Sequence, residues 1–150
     1  MNSLFDFIVE PYGDRYNNEV KVGDKSLIIN TKIESYKSVN NIGKVIATPL
    51  AYKTSIKTGD LVMIHHNVFR RFYDIRGNEK NSRAYFKNNL YFVQLDQIYL
   101  YKNKNKWQSF GDRCFINPIK NNDNTNASLE QSLIGILKYG NSSLEALGIH

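Results

Sequence analysis

Apolar and polar positions alternate from the start of the chain. Over residues 4–11, Phe5, Phe7 and Val9 fall on one side and Asp6, Ile8 and Glu10 on the other, which predicts a strand with one apolar face. Pro11 ends it, because proline cannot donate to a strand ladder. Residues 12–41 lose all period and turn polar, with Leu27-Ile28-Ile29 as their three-residue apolar run. So long a stretch without a pattern is a candidate functional or disordered loop. Pattern returns at residues 42–47 and 61–64, then near 84–87, 90–95 and 97–101, each read as a strand. A polar turn is expected at Gly77 to Ser82, and residues 102–110 read as a charged linker around Lys102-Asn103-Lys104-Asn105-Lys106. The expected class is all-β, a small barrel.

The pattern then repeats. Residues 111–118 end in Pro118 and align with Phe5 to Pro11; Ile134-Gly135-Ile136-Leu137 aligns with Ile42-Gly43-Lys44-Val45. This divides the chain into a first unit at 1–101, the linker, and a partial second repeat at 111–150. From Pro11 to Ile42 is 31 positions and from Pro118 to Ile134 is 16, so the first copy carries 15 extra residues. The tripeptide lies in that excess, and residues 17–40 are expected to form a mobile loop with Leu27, Ile28 and Ile29 exposed; the plainer reading of the tripeptide is a short buried strand, because a short apolar run has no period to assign it.

Composition fits a globular domain: 41% hydrophobic and 23% charged residues, with ten Tyr and eight Phe, suit a sheet. The net charge of +6 permits attraction to nucleic acid or to an acidic protein surface without choosing between them. With Cys114 as its single cysteine the chain forms no internal disulfide, which suits a reducing cytoplasm. The N-terminus lacks the features of a secretory signal, and no apolar run is long enough to span a bilayer.

The chemistry of an active site is hard to find. His65 and His66 are adjacent, and on a strand they would point to opposite faces. No Cys/His set has zinc spacing, and phosphate-cradling glycine motifs are absent. Cys114, between Arg113 and Phe115, reads as a small buried apolar residue, and Asp60 and Asp96 as turn residues. The expectation is a non-enzymatic protein without cofactor or metal.

Several ordered segments carry a resemblance. Asp112 to Pro118, and more loosely Phe5 to Pro11, follow the pattern D-R-V-x-V-x-P. Leu27-Ile28-Ile29 stands where an apolar tripeptide of the type I-V-L is found in a long loop. Gly43-Lys44-Val45-Ile46-Ala47-Thr48 follows G-x-V-x-A-V-G, and Ile56 to Ile64, containing Gly59-Asp60, follows V-x-x-G-D-x-V-x-F. Asp96-Gln97-Ile98-Tyr99-Leu100 stands for D-I-L-A. In order and spacing, residues 4–101 resemble the GroES co-chaperonin family. The chain departs from it where Asp24-Lys25-Ser26 replace the glycines before the tripeptide. The connection after residue 48 is also too short for a roof hairpin, and the half repeat is unusual. Divergent viral members would show such features, and the Asn-, Lys- and Ile-rich composition of an AT-rich genome fits them.

The resemblance implies a homo-oligomeric ring, typically of seven subunits, that caps a chaperonin through Leu27, Ile28 and Ile29 and closes a folding chamber, with ATP belonging to the partner. It implies action in the cytoplasm, the host's if viral. A rival reading comes from Phe69, Arg70, Arg71, Phe72 and Tyr73, which interleave bases with aromatics as a single-stranded nucleic-acid interface would; the plainer reading is an exposed strand whose arginine stems cover apolar rings. A structural or assembly protein on the same fold is a third reading, since fold does not fix function.

Overall fold

Short runs of β-branched and aromatic residues, punctuated by Gly, Asn and Pro, become antiparallel strands. The computed structural model describes residues 1–16, 19–28, 37–118 and 135–140. Its strands are β1 (Phe7–Pro11), β2 (Glu19–Val22), β3 (Lys25–Ile28), β4 (Ile42–Ala47), β5 (Leu61–Ile64) and β6 (Arg71–Tyr73). They continue with β7 (Glu79–Asn81), β8 (Tyr85–Lys87), β9 (Leu90–Val93), β10 (Ile98–Asn103), β11 (Lys106–Ser109), β12 (Phe115–Pro118) and β13 (Gly135–Tyr139). A short 3-10 turn, Leu95–Gln97, joins β9 to β10.

Seven strands form one sheet in the order β11-β10-β5-β4-β1-β9-β8; β2-β3, β6-β7 and β12-β13 are separate two-stranded ribbons. The protein is therefore all-β, but the large sheet is open. Among the described residues no pairing joins β8 to β11. Residues 102–110, which were expected to be a linker, extend this sheet instead. Lys104 and Asn105 take φ of 47° and 64°, as the two central residues of a type I′ hairpin turn must. This folds β11 back onto the outer edge of β10, with Lys102 opposite Trp107, and makes β11 the edge strand of the sheet.

Asn88 and Asn89, with φ of 48° and 62°, make the same kind of turn between β8 and β9. At residues 77–82, expected as a polar turn, Glu79–Asn81 instead pairs with Arg71–Tyr73. The turn itself is held by Asp74, whose carboxylate accepts the Arg76 and Asn78 amides at 2.9 and 2.8 Å.

One apolar cluster underlies the sheet. Phe7, Val9, Val45, Val62, Ile64, Tyr91, Val93 and Ile98 from five neighbouring strands pack with Val39, Ile56, Val68 and Phe69 from the connections. The alternation expected along β1 fails at Ile8, which is 1% exposed. A bulge between Ile8 and Val9 breaks the period there. Phe5, expected to share the buried face, lies outside the strand and is 61% exposed.

The Gly59-Asp60 pair serves the turn before β5: Gly59 has φ of +93°, its amide donates to the Val45 carbonyl at 2.7 Å, and the Asp60 carboxylate accepts the Lys57 amide at 2.9 Å. Gly43 is required by space. A Cβ there would lie 3.2 Å from Phe69 Cζ and 3.3 Å from the Glu10 carbonyl oxygen.

The second ribbon copies the first pair of strands. In β1–β4, Pro11 faces Gly43, Glu10 faces Lys44 and Val9 faces Val45, and beyond the bulge Ile8 faces Ala47. In β12–β13, Pro118 faces Gly135, Asn117 faces Ile136 and Ile116 faces Leu137, and beyond a bulge at the same step Phe115 faces Tyr139. Arg113 fastens this ribbon to the large sheet. Its guanidinium donates to the carbonyls of Ile98 (2.8 Å) and Asp96 (2.7 Å) and lies over the Tyr99 ring.

Candidate partner-binding loop and its base

Between β1 and β4 the chain leaves the sheet through a built stem. The Tyr12 amide donates to the Ile42 carbonyl at 2.9 Å and the Asn40 amide to the Arg15 carbonyl at 2.8 Å; Tyr16 bridges to Val39. Asn40, 7% exposed, staples the two limbs. Its Nδ2 donates to the carbonyls of Tyr12 (3.0 Å) and Asp14 (2.9 Å), and its Oδ1 accepts the Ile42 amide at 2.9 Å. Arg15 ties the stem sideways, donating through Nε and Nη2 to the Phe69 carbonyl at 3.0 and 2.7 Å and through Nη1 to Asn81 Oδ1 at 2.9 Å. The same guanidinium lies 5.4 Å from the Tyr91 ring centre. The Tyr16 hydroxyl accepts the Arg71 amide.

Along the chain between the two limbs of the stem lies the β2–β3 hairpin, where the sequence showed no period. Val20 pairs with Leu27, Glu19 with Ile28 and Val22 with Lys25. Gly23, with φ of +63°, opens the two-residue turn, as the first position of a type II′ turn requires. The signal was present in Glu-Val-Lys-Val, Gly-Asp and Lys-Ser-Leu-Ile: two short runs around a Gly-Asp pair are a hairpin pattern. Leu27 and Ile28 thus lie on β3, and Ile29 lies outside the described residues, as does much of the loop expected over 17–40. The hairpin forms its own sheet and is not a strand of the large one.

The residues of the nucleic-acid reading do not form one face. Phe69 is 0% exposed and packs edge-on against Tyr91 with ring centres 5.0 Å apart. Arg71 lies over Tyr16 and pairs with Glu79 at 3.2 Å. Arg70 lies over Phe72, 5.2 Å from its centre; Phe72 and Tyr73 are exposed.

His65 and His66 also depart from expectation. β5 stops at Ile64, so strand alternation no longer governs them, and their rings stack 4.4 Å apart. Burial, then the neighbouring His65 and Arg70, lower the His66 pKa and favour its neutral form. No group of three metal-ligating side chains occurs among the described residues. Cys114, expected to be buried inside a strand, is exposed and precedes β12. Among the described residues no helix is long and apolar enough to cross a membrane. Comparison with protein-family models, with curated proteins and with solved structures finds no match.

Proposed function

We propose that this chain is a protein-binding subunit of co-chaperonin type, which caps a chaperonin ring through the loop between β1 and β4 and so assists protein folding. The observation that carries the reading is the stem: a buried asparagine and Arg15 fix the two limbs of a connection whose β2–β3 hairpin, with Leu27 and Ile28 on β3, is not a strand of the main sheet. A hydrogen-bonded stem at the root of a loop that holds a separate ribbon suits presentation to a partner. The segments that resemble the family also fall on adjacent strands, in the order β10-β5-β4-β1.

The energetics require several copies. Burying Leu27, Ile28 and Ile29 in an apolar groove contributes about 1.5–3 kcal/mol each, and ordering the loop on binding costs about 2–5 kcal/mol. One loop therefore binds weakly, and a ring of subunits engaging a ring of grooves gains the remainder by avidity. ATP is the partner's, and this chain supplies no catalytic group.

The test is capture of a purified chaperonin ring on the immobilised full chain, with and without ATP. Replacing Ile28 and Ile29 by Asp should abolish capture, because a carboxylate entering an apolar groove loses its hydration, and should leave the thermal transition in place. Replacing Arg70 and Arg71 by Ala should leave capture intact. Absence of capture in every nucleotide state would refute the reading.

A further inference from the structure

The β6–β7 hairpin, the turn after β5 and the 3-10 turn before β10 enclose a cleft of about 520 Å³. That volume lies within the roughly 300–1,000 Å³ of small-molecule sites. Phe72 and Ala84 supply apolar surface; Asn67, Asn81, Arg83 and Gln97 supply the polar groups, and no lining residue is acidic. Two of the amide oxygens are already engaged: Asn81 Oδ1 accepts from Arg15 and Gln97 Oε1 accepts the Gln94 amide at 3.0 Å. What these side chains retain is their NH₂ donors. Arg83 has no carboxylate partner among the described residues. The Ser82 hydroxyl donates to the Val68 carbonyl and so fixes the turn that carries Arg83. The cleft therefore combines a flat aromatic surface with an excess of donors and positive charge.

Such a lining selects a ligand rich in acceptors, anionic at one end and planar at the other. We infer that this cleft binds a nucleotide, with its base against Phe72 and its phosphate at Arg83. A base offers a π-face to Phe72 and ring acceptors to the amides, and a phosphate takes the two-pronged donation of a guanidinium. This is not the linear strip that the sequence suggested. Phe69 and Arg71 are withdrawn into the core and an ion pair, and the fold replaces them with Asn67, Asn81, Arg83 and Gln97 from other segments. The nucleotide is either free or a unit of a single strand; the chemistry at the cleft is the same.

The experiment is a titration of the isotope-labelled full chain, followed by amide chemical shifts. Its probes are AMP, UMP, inorganic phosphate and an unstructured oligothymidylate. Nucleotide should move the amides of Asn67, Phe72, Ala84 and Gln97, and Arg83→Gln should weaken binding about 10- to 100-fold, the worth of a charge-assisted hydrogen bond. Arg83 and Phe72 are exposed, so Arg83→Gln and Phe72→Ala should keep the wild-type melting transition; Arg83→Lys should recover part of the affinity. Saturation by AMP or UMP with no gain from the oligomer identifies a free nucleotide. Binding of the oligomer alone, with a steep salt dependence, identifies a strand. Three results would overturn the inference: no shifts at the cleft with any nucleotide probe, unchanged affinity in Arg83→Gln, or equal affinity for inorganic phosphate with no effect of Phe72→Ala. None of them bears on chaperonin capture, which depends on the other loop.

Discussion

Asn40→Ala isolates the stem from the rest of the fold. The substitution deletes three hydrogen bonds, two donated to Tyr12 and Asp14 and one accepted from Ile42, at a position 7% exposed. A typical hydrogen bond contributes about 0.5–1.5 kcal/mol net, and a buried group left without a partner costs about 1–3 kcal/mol. Alanine leaves the Ile42 amide and two carbonyls facing the lost side chain, and water can reach some of them beside the half-open limb. The expected destabilisation is about 2–4 kcal/mol. Urea unfolding followed by the Trp107 signal measures it, and amide exchange at Tyr12, Asn40 and Ile42 locates it. Exchange should accelerate at those three amides and through the β2–β3 hairpin, with Val9 and Val45 still protected. Chaperonin capture should weaken more than the loss of folded protein explains, because the loop loses its fixed base. A change below about 0.5 kcal/mol, with unchanged exchange at Ile42, would show that the backbone contacts alone hold the stem.

Gly43→Ala drives a methyl to 3.2 Å from the Phe69 ring and should cost about 1–3 kcal/mol; urea unfolding measures it, and a Phe69→Leu second substitution should recover part of the loss. Arg113→Ala removes both carbonyl contacts and the stacking on Tyr99, so exchange should rise over Phe115–Pro118 and Gly135–Tyr139 while β1, β4 and β5 keep their protection. For His66 the folded pKa lies below the ordinary value of 6.5, so the unfolded chain takes up the proton first as pH falls. Its contribution is full above that value and is lost as pH drops through it towards the folded pKa; His66→Gln should flatten the decline of the melting temperature below about pH 6.5.

The strands that carry the core were legible because their signal is local: Ile42–Ala47 and Leu61–Ile64 are short apolar runs bounded by turn residues. The hairpins of residues 19–28 and 102–109 were legible only at their turn pairs, for a shared reason. Their strands are half polar, and the feature that decides them is two turn residues rather than any run of side chains. Lys104-Asn105 reads as solvated charge until both residues are seen at positive φ. Asn40 was illegible in another way. Its role depends on Tyr12 and Asp14 across the loop, and an asparagine in an asparagine-rich stretch carries no mark of burial. Phe69 shows the same limit in reverse: interleaved with arginines it resembles a stacking surface, yet the space above Gly43 takes its ring inward.

The two copies of the opening strand pair separate what a short sequence dictates from what its surroundings dictate. Both ribbons place proline opposite glycine at one end, carry a bulge at the same step and pair the same positions. Proline ends each ladder for want of an N–H, and the residue opposite it need fill no side-chain site. Register is thus set within the pair. Burial is not. Val9 and Val45 are 0% exposed, whereas Ile116, which stands where Val9 does, is 50% exposed. The first ribbon has β5 and β9 along its edges and Phe69 over Gly43; among the described residues the second meets the large sheet through Arg113 and the Ser109–Gly140 hydrogen bond. The same apolar position therefore belongs to a core in one copy and to a surface in the other. By the same logic the hydrogen bonds of Asn40 to Tyr12, Asp14 and Ile42 fix how the chain leaves the sheet after β1 and returns to it at β4, whatever surrounds that stem.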